Sequence, residues 1–211
     1  ITLCWHAVPP TADEPVTFMP RRDGSATNGH LASVQGRLTD QQWHDLFTPG
    51  TPLYQHWCAQ VDVIAGYLNQ LQAAHIPVLW RPYHEMNGDW FWWGGRPGDG
   101  GTKVLYQQLF DRLVNYHHLN NLIWVWSVDR PARADRQFVD YNPGTNYFDV
   151  AALDVYGSDF PQSYYNELLV QAAGKPIALA EVGPPPTVAV LAQQPRWTRW
   201  IWYCKTTCTD W

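Results

Sequence analysis

Charge is scarce in this 211-residue chain: charged side chains make up 16%, against roughly a quarter in an average domain. The 14 Lys and Arg are outnumbered by 19 Asp and Glu, for a net charge of −5. No basic excess is left to neutralise a phosphate backbone or an anionic bilayer, so neither nucleic acid nor a membrane surface is an expected partner. Long apolar runs are missing too. The longest, Leu122–Val128, includes Ser127 and falls far short of the roughly 18 residues that cross a bilayer. Cysteine is sparse. Cys4, Cys58, Cys204 and Cys208 form no CxxC pair and no zinc-site spacing, so free thiols and a single disulfide both stay open. The chain opens at Ile1 within an apolar run, with no initiator Met and no signal peptide, which reads as a mature or clipped chain. No Gly-rich dinucleotide turn follows a strand, and no GxSxG elbow or phosphate loop occurs. His84-Glu85 starts an HExxH metal helix, but Gly88 stands where the second His belongs. The sequence assembles no ligand set for a metal-dependent hydrolase, and neither metal nor organic cofactor is expected.

What the chain has in excess is aromatic surface: 13 Trp, 11 Tyr and 7 Phe. Flat rings with one polar edge suit a ligand with apolar faces and polar rims, such as a sugar, although an aromatic-rich core would use them as well. Short apolar runs alternate with helical stretches. Strands are predicted at Ile1–His6, Ile76–Tyr83, Leu122–Val128, Phe148–Tyr156, Pro176–Val182 and near Trp200–Cys204. Helices are predicted over Asp40–Phe47, Pro52–Ala74, Thr102–Leu119 and Ser163–Ala173, the second with Val61, Ile64, Leu68 and Leu71 on one face. Residues 11–39 read as loop, the link from 129 to 147 as irregular, and His117-His118 as surface. Strand, helix, strand at this spacing means parallel βαβ units, in a barrel or an open sheet.

Three strand ends draw attention. The strand at 76–83 runs into Arg81-Pro82-Tyr83-His84-Glu85-Met86-Asn87-Gly88, that at 176–182 ends in Ala180-Glu181-Val182-Gly183, and the first ends at Trp5-His6. Period-two alternation puts Arg81, Tyr83 and Glu85 on one face. A carboxylate closing an apolar strand is expensive to bury unpaired. Two at one end of a sheet suggest the protonated acid and ionised nucleophile of a glycosidase; ion pairing with Arg81 is the competing reading. Trp90, Trp92 and Trp93 follow in a glycine-rich loop. Trp90 is expected to line a groove, and Trp92 or Trp93 to be core.

The run from Arg81 to Gly94, with Ala180-Glu181-Val182-Gly183, Trp5-His6 with Pro9, and Leu153-Asp154-Val155-Tyr156-Gly157, resembles glycoside hydrolase family 26 from Ile1 to about Trp197. The resemblance implies a (β/α)8 TIM barrel, an α/β fold, and retaining hydrolysis, mostly of β-1,4-mannan. β-1,3-Xylan, mixed-linkage β-glucan and a non-catalytic carbohydrate-binding protein are the alternatives. It implies Glu85 as acid/base, Glu181 as nucleophile and His84 near the 2-hydroxyl of the cleaved sugar. Trp90 would line the substrate, Tyr156 would bond the nucleophile and His6 would sit at the mouth. Trp202 is the residue taken for the floor under that sugar, a role for which Trp200 and Tyr203 compete. It further implies a polysaccharide partner, a secreted or periplasmic location and, at full length, a monomer. Family members place the two glutamates after the fourth and seventh barrel strands. Here they follow the second and fifth, so the expectation is one catalytic domain over 1–211, a barrel with about six visible strands and lacking its first two. Lys205–Trp211 does not resemble the family.

Overall fold

A computed structural model of the chain describes residues 1–13, 16–17 and 32–203. Its centre is a six-stranded, all-parallel sheet. The strands are β1 (Thr2–Trp5), β4 (Val78–Pro82), β5 (Leu122–Asp129), β6 (Val150–Val155), β7 (Ile177–Val182) and β8 (Trp197–Tyr203), each paired with the next in that order. Two short strands, β2 (Val16–Thr17) and β3 (Ala32–Ser33), pair with each other outside it. Strands paired in chain order, with helices in the crossovers, wind in one direction. This is the arrangement of a (β/α)8 barrel and not of a doubly wound sheet, which reverses at a switch point. The fold is thus α/β, with six barrel strands among the described residues.

The helices form where the sequence supplies caps. Helix α1 (Asp40–Leu46) opens with a capping box in which Thr39 accepts from the Gln42 amide and Gln42 bonds back. Helix α2 (Pro52–Ala73) starts at a Thr51 cap with Pro at its first position, where the missing N–H costs nothing. It buries Trp57, Cys58, Val61, Ala65 and Leu68, close to the predicted stripe. Helix α3 (Thr102–Phe110) departs from expectation, because its continuation over Asp111–Tyr116 widens into π geometry. The wider turn brings two residues to one carboxylate. Arg112 donates to both oxygens of Asp62 at 2.8 and 2.6 Å, and His117 Nε2 lies 2.6 Å from Asp62 Oδ1. His117, expected at the surface, is partly exposed and paired with Asp62.

The 129–147 link holds a 3₁₀ turn and the single-turn helix α4 (Phe138–Tyr141). Helix α5 (Gln162–Ala172) matches its prediction; α6 (Val188–Gln193) was not predicted, and β8 starts earlier than expected. Two apolar clusters sandwich the sheet. The larger joins the outer strand faces to the helices, including Trp57, Trp92, Trp93, Leu105, Trp126, Leu153 and Leu179. The smaller, Val125, Ala152, Ala178 and Ala180 with Leu79 and Val150, lies on the inner face below the active end. Cys4 and Cys58 are free thiols; Cys204 and Cys208 lie outside the described residues.

Candidate active site

Inner-face alternation along β4 carries Leu79 and then Arg81 toward the carboxyl end. Along β6 it carries Ala152 and then Asp154. Strand β7 needs a correction to do the same. Leu153 pairs with Leu179, but the next residue, Asp154, pairs with Glu181, so Ala180 is an extra residue. Strict alternation from the inward Ala178 and Ala180 would turn Glu181 outward. The bulge at Ala180 re-aims it inward.

A second irregularity follows β4. The strand ends at Pro82, and Tyr83 and Glu85 take left-handed backbone, at φ 47° and 49°. Such conformations cost about 1–2 kcal/mol for a residue with a Cβ. The sequence expectation that Tyr83 shares a face with Arg81 fails here. Its hydroxyl instead points to the helix layer and accepts from Trp57 Nε1 at 3.0 Å. The same backbone delivers His84 and Glu85 to the mouth of the sheet.

These turns bring Glu85, Asp154 and Glu181 together, with a carboxylate oxygen of each within 4.8 Å of the others. Arg81, wholly enclosed, holds the group. Its Nη1 donates to Glu181 Oε1 at 2.7 Å and its Nη2 to Asp154 Oδ2. Ser127 adds a bond to the other Asp154 oxygen at 2.9 Å. The guanidinium thus pairs with two of the three acids, Asp154 and Glu181. Ion pairing and a paired-carboxylate site, which sequence reasoning treated as competitors, coexist.

The two glutamates are poised oppositely. Burial, with the charges of Glu181 and Asp129, pushes Glu85 up to about 8, so it is protonated at neutral pH. Burial pushes Glu181 upward as well, but the charge of Arg81 and hydrogen bonds from Tyr156 and Arg81 outweigh it and leave Glu181 below its ordinary value. Tyr156 donates its hydroxyl to Glu181 Oε2; burial and that carboxylate hold its own pKa high. Trp90 Nε1 donates to Glu85 Oε2 at 2.7 Å, which leaves Oε1 to carry the proton. The Arg136 guanidinium lies 5.0 Å from the Trp90 ring centre and is itself anchored to Asp89 at 2.7 Å.

His84 Nε2 is 3.8 Å from Glu181 Oε1. Burial, Arg81 and His6 hold His84 well below its ordinary pKa, and burial pushes His6 down to about 4, so both rings are neutral near pH 7. The His6 and His84 rings meet edge to face at 4.4 Å. Trp92 and Trp93 are core: Trp92 donates to the Ala7 carbonyl and Trp93 to that of His84. The structure therefore brings together Glu85, Glu181, His6, His84, Trp90 and Tyr156. The backbone of Trp202 pairs opposite Glu181, but its side chain lies outside the described residues. Sequence reasoning missed Asp154, although an acid between Leu153 and Val155 in an apolar strand was a signal that could have found it. It also found no ligand set, whereas Cys4, His6 and His84 offer three donor atoms within 4.8 Å of one another.

The chain has relatives among known proteins. The chain is 42% identical over 146 residues to a mannan endo-1,4-beta-mannosidase of Thermothelomyces thermophilus, covering 68% of this chain and 28% of that protein. It is 36% identical over 153 residues to mannan endo-1,4-beta-mannosidase A of a Piromyces species, covering 71% and 23%. The solved structure of GH26A from Muricauda sp. MAR_2010_75 superposes with a TM-score of 0.86 at 46% identity, covering 96% of this chain and 63% of that one. The chain thus spans under a third of these two relatives and about three-fifths of the solved chain. The profile of glycosyl hydrolase family 26 matches residues 34–210, a span that contains both glutamates, Arg81, Asp154 and Tyr156, and on that match the chain belongs to glycosyl hydrolase family 26.

Proposed function

We propose that this chain is the catalytic core of a retaining endo-β-1,4-mannanase, with Glu85 as acid/base and Glu181 as nucleophile. The observation that carries the reading is that a carboxylate oxygen of Glu85 lies within 4.8 Å of one of Glu181, with Glu85 protonated and Glu181 ionised. Retaining glycosidases hold their carboxyl groups about 5–5.5 Å apart, and inverting ones about 6.5–9.5 Å to admit a water. In the first step Glu85 gives its proton to the departing glycosidic oxygen as Glu181 attacks the anomeric carbon, forming a glycosyl-enzyme. In the second, Glu85 takes a proton from water, which displaces Glu181 with net retention. Tyr156 and Arg81 keep Glu181 ionised, and Trp90 orients Glu85 while offering a ring to a sugar beside the scissile bond. His84 faces the 2-hydroxyl, His6 borders the mouth and Trp202 floors the cleaved sugar. No metal or organic cofactor enters these steps.

The relatives named as mannan endo-1,4-beta-mannosidases support mannan as the polymer. Such polymers cannot enter a cell intact, which supports a secreted or periplasmic location, and no helix among the described residues is long and apolar enough to cross a membrane. The working unit is taken as a monomer, with 1–211 as one domain. The test is reducing-sugar release on mannan, galactomannan, glucomannan, β-1,3-xylan and mixed-linkage glucan, with the anomeric form of the first product followed by NMR. Mannan hydrolysis with a β-configured first product is expected. An α-configured product would overturn the mechanism. Binding without release would leave a carbohydrate-binding protein.

A further inference from the structure

Next to the two glutamates lies a second group of donors that the hydrolytic scheme does not use as a set. Cys4 ends the inner face of β1 in register with Arg81, and its Sγ lies 3.5 Å from His84 Nδ1 and 3.3 Å from Arg81 Nη1. A donor nitrogen of His6 completes the triad, all three atoms falling within 4.8 Å of one another. In a tetrahedral zinc site, bonds of about 2.3 Å to sulfur and about 2.0–2.1 Å to nitrogen put S and N roughly 3.6 Å apart. The Cys4–His84 pair already has that spacing. We propose that Cys4, His6 and His84 form an inhibitory site for a borderline-soft divalent cation of the zinc class, one imidazole away from the nucleophile.

The donor set fits that class. One thiolate with two imidazoles is ligation that zinc and its neighbours accept, whereas magnesium and calcium require oxygen ligands. With its Nε2 toward Glu181, His84 presents Nδ1 to Cys4, and a ring nitrogen of His6 lies within 4.8 Å of both. The Cys4 thiol, raised to about 11 mainly by desolvation, gives up its proton to solvent as the metal–sulfur bond forms; no electron is transferred. Arg81 faces the sulfur, but its charge is already met by Asp154 and Glu181, so the incoming charge enters a region that also holds two carboxylates.

The consequence for hydrolysis follows from the two ring nitrogens of His84. Nδ1 faces Cys4 and Nε2 faces Glu181 at 3.8 Å. A cation on Nδ1 makes Nε2–H a stronger donor aimed at the nucleophile, draws charge from Glu181 and fixes the ring that would meet the sugar. Inhibition, unlike the site itself, rests on the proposed hydrolytic function.

The test uses the chain with Cys204→Ser and Cys208→Ser, titrated with Co2+ as a spectroscopic substitute for Zn2+. One equivalent should produce a thiolate-to-cobalt charge-transfer band that Zn2+ abolishes. Cys4→Ser and Cys4→Ala should lose the band, and His6→Gln should weaken binding at least about 10-fold, a scale reached even by residues one shell further out. No band, or a band that persists in both Cys4 variants with their circular dichroism intact, overturns the site. In the activity arm, Zn2+ should inhibit mannan hydrolysis reversibly by chelator, and each Cys4 variant, scaled to its own metal-free rate, should resist. Cobalt binding without zinc inhibition overturns the inhibitory role. A chain with no hydrolysis at all counts against the proposed function, while the cobalt spectrum still decides the site.

Discussion

At the scale of single residues, the proposed chemistry depends on two carboxylates differing in protonation, and each difference has a removable cause. Glu85→Gln keeps the shape and the Trp90 contact but carries no transferable proton. Hydrolysis of mannan should fall about 10²–10⁴-fold, the usual worth of a positioned acid or base. An aryl mannoside with a good leaving group should lose much less in the first step. The alkaline limb of kcat/KM in the parent, set by loss of the Glu85 proton near pH 8, should vanish in the variant; an unchanged limb would assign it to another group. Tyr156→Phe removes the hydroxyl that donates to Glu181. A hydrogen bond to a charged group contributes roughly 1.5–3 kcal/mol, so kcat/KM should drop about 10- to 100-fold. Because that bond favours the ionised form, the acidic limb should also move to higher pH. A fall in rate with no movement of the limb would make Tyr156 a packing residue.

At the scale of elements, the loop after β4 presents Trp90, and its glycines are there for close approach. A Cβ on Gly94 would fall 2.2 Å from the Gly88 carbonyl oxygen, which is backbone and cannot rotate away. Gly94→Ala should therefore open the loop, at about 1–3 kcal/mol of stability on the scale of overpacking. The Trp90–Glu85 bond should loosen, raising KM for oligosaccharides by more than the loss of stability alone predicts. Urea unfolding and steady-state kinetics on the same sample separate the two effects. The element scale also shows what the sequence could tell. Apolar runs and helical spacing made β1, β4 to β7, α1, α2 and α5 readable, and a carboxylate at the end of an apolar strand made Glu85 and Glu181 readable. The π turn at Asp111–Tyr116 was not, because it answers to Asp62 on another helix. Nor was the outward turn of Tyr83, which depends on left-handed backbone and on Trp57. The bulge at Ala180 is equally invisible in an Ala-Leu-Ala-Glu run, yet without it Glu181 would point at the helices. Local pattern reported where the chain runs straight; the site sits where tertiary partners bend it.

At the scale of the whole molecule, the same buried groups make stability depend on pH, and the sign differs by window. Glu85 has a folded value of about 8 against an ordinary 4.5. The folded state therefore holds its proton more tightly, and the stability this gives is lost as pH rises from 4.5 to 8. His6 and His84 act oppositely: both are lowered from 6.5, so they destabilise the fold in acid and cease to do so once pH exceeds 6.5. Glu181, lowered, adds stability above its ordinary 4.5 that is lost in stronger acid. Below pH 6.5 the two histidines outweigh Glu85; above it Glu85 acts alone. Stability should therefore peak near pH 6.5 and decline toward pH 8. For Glu85 the limit is about 1.4 kcal/mol per pH unit, or roughly 2 kcal/mol over that window. Glu85→Gln has no proton to lose and should flatten the decline while leaving the acid side in place. Urea unfolding of both proteins at pH 5, 6.5 and 8 measures this. A parent equally stable at pH 6.5 and 8 would mean that Glu85 is already ionised in the folded state, and the division of labour between the two glutamates would have to be reversed.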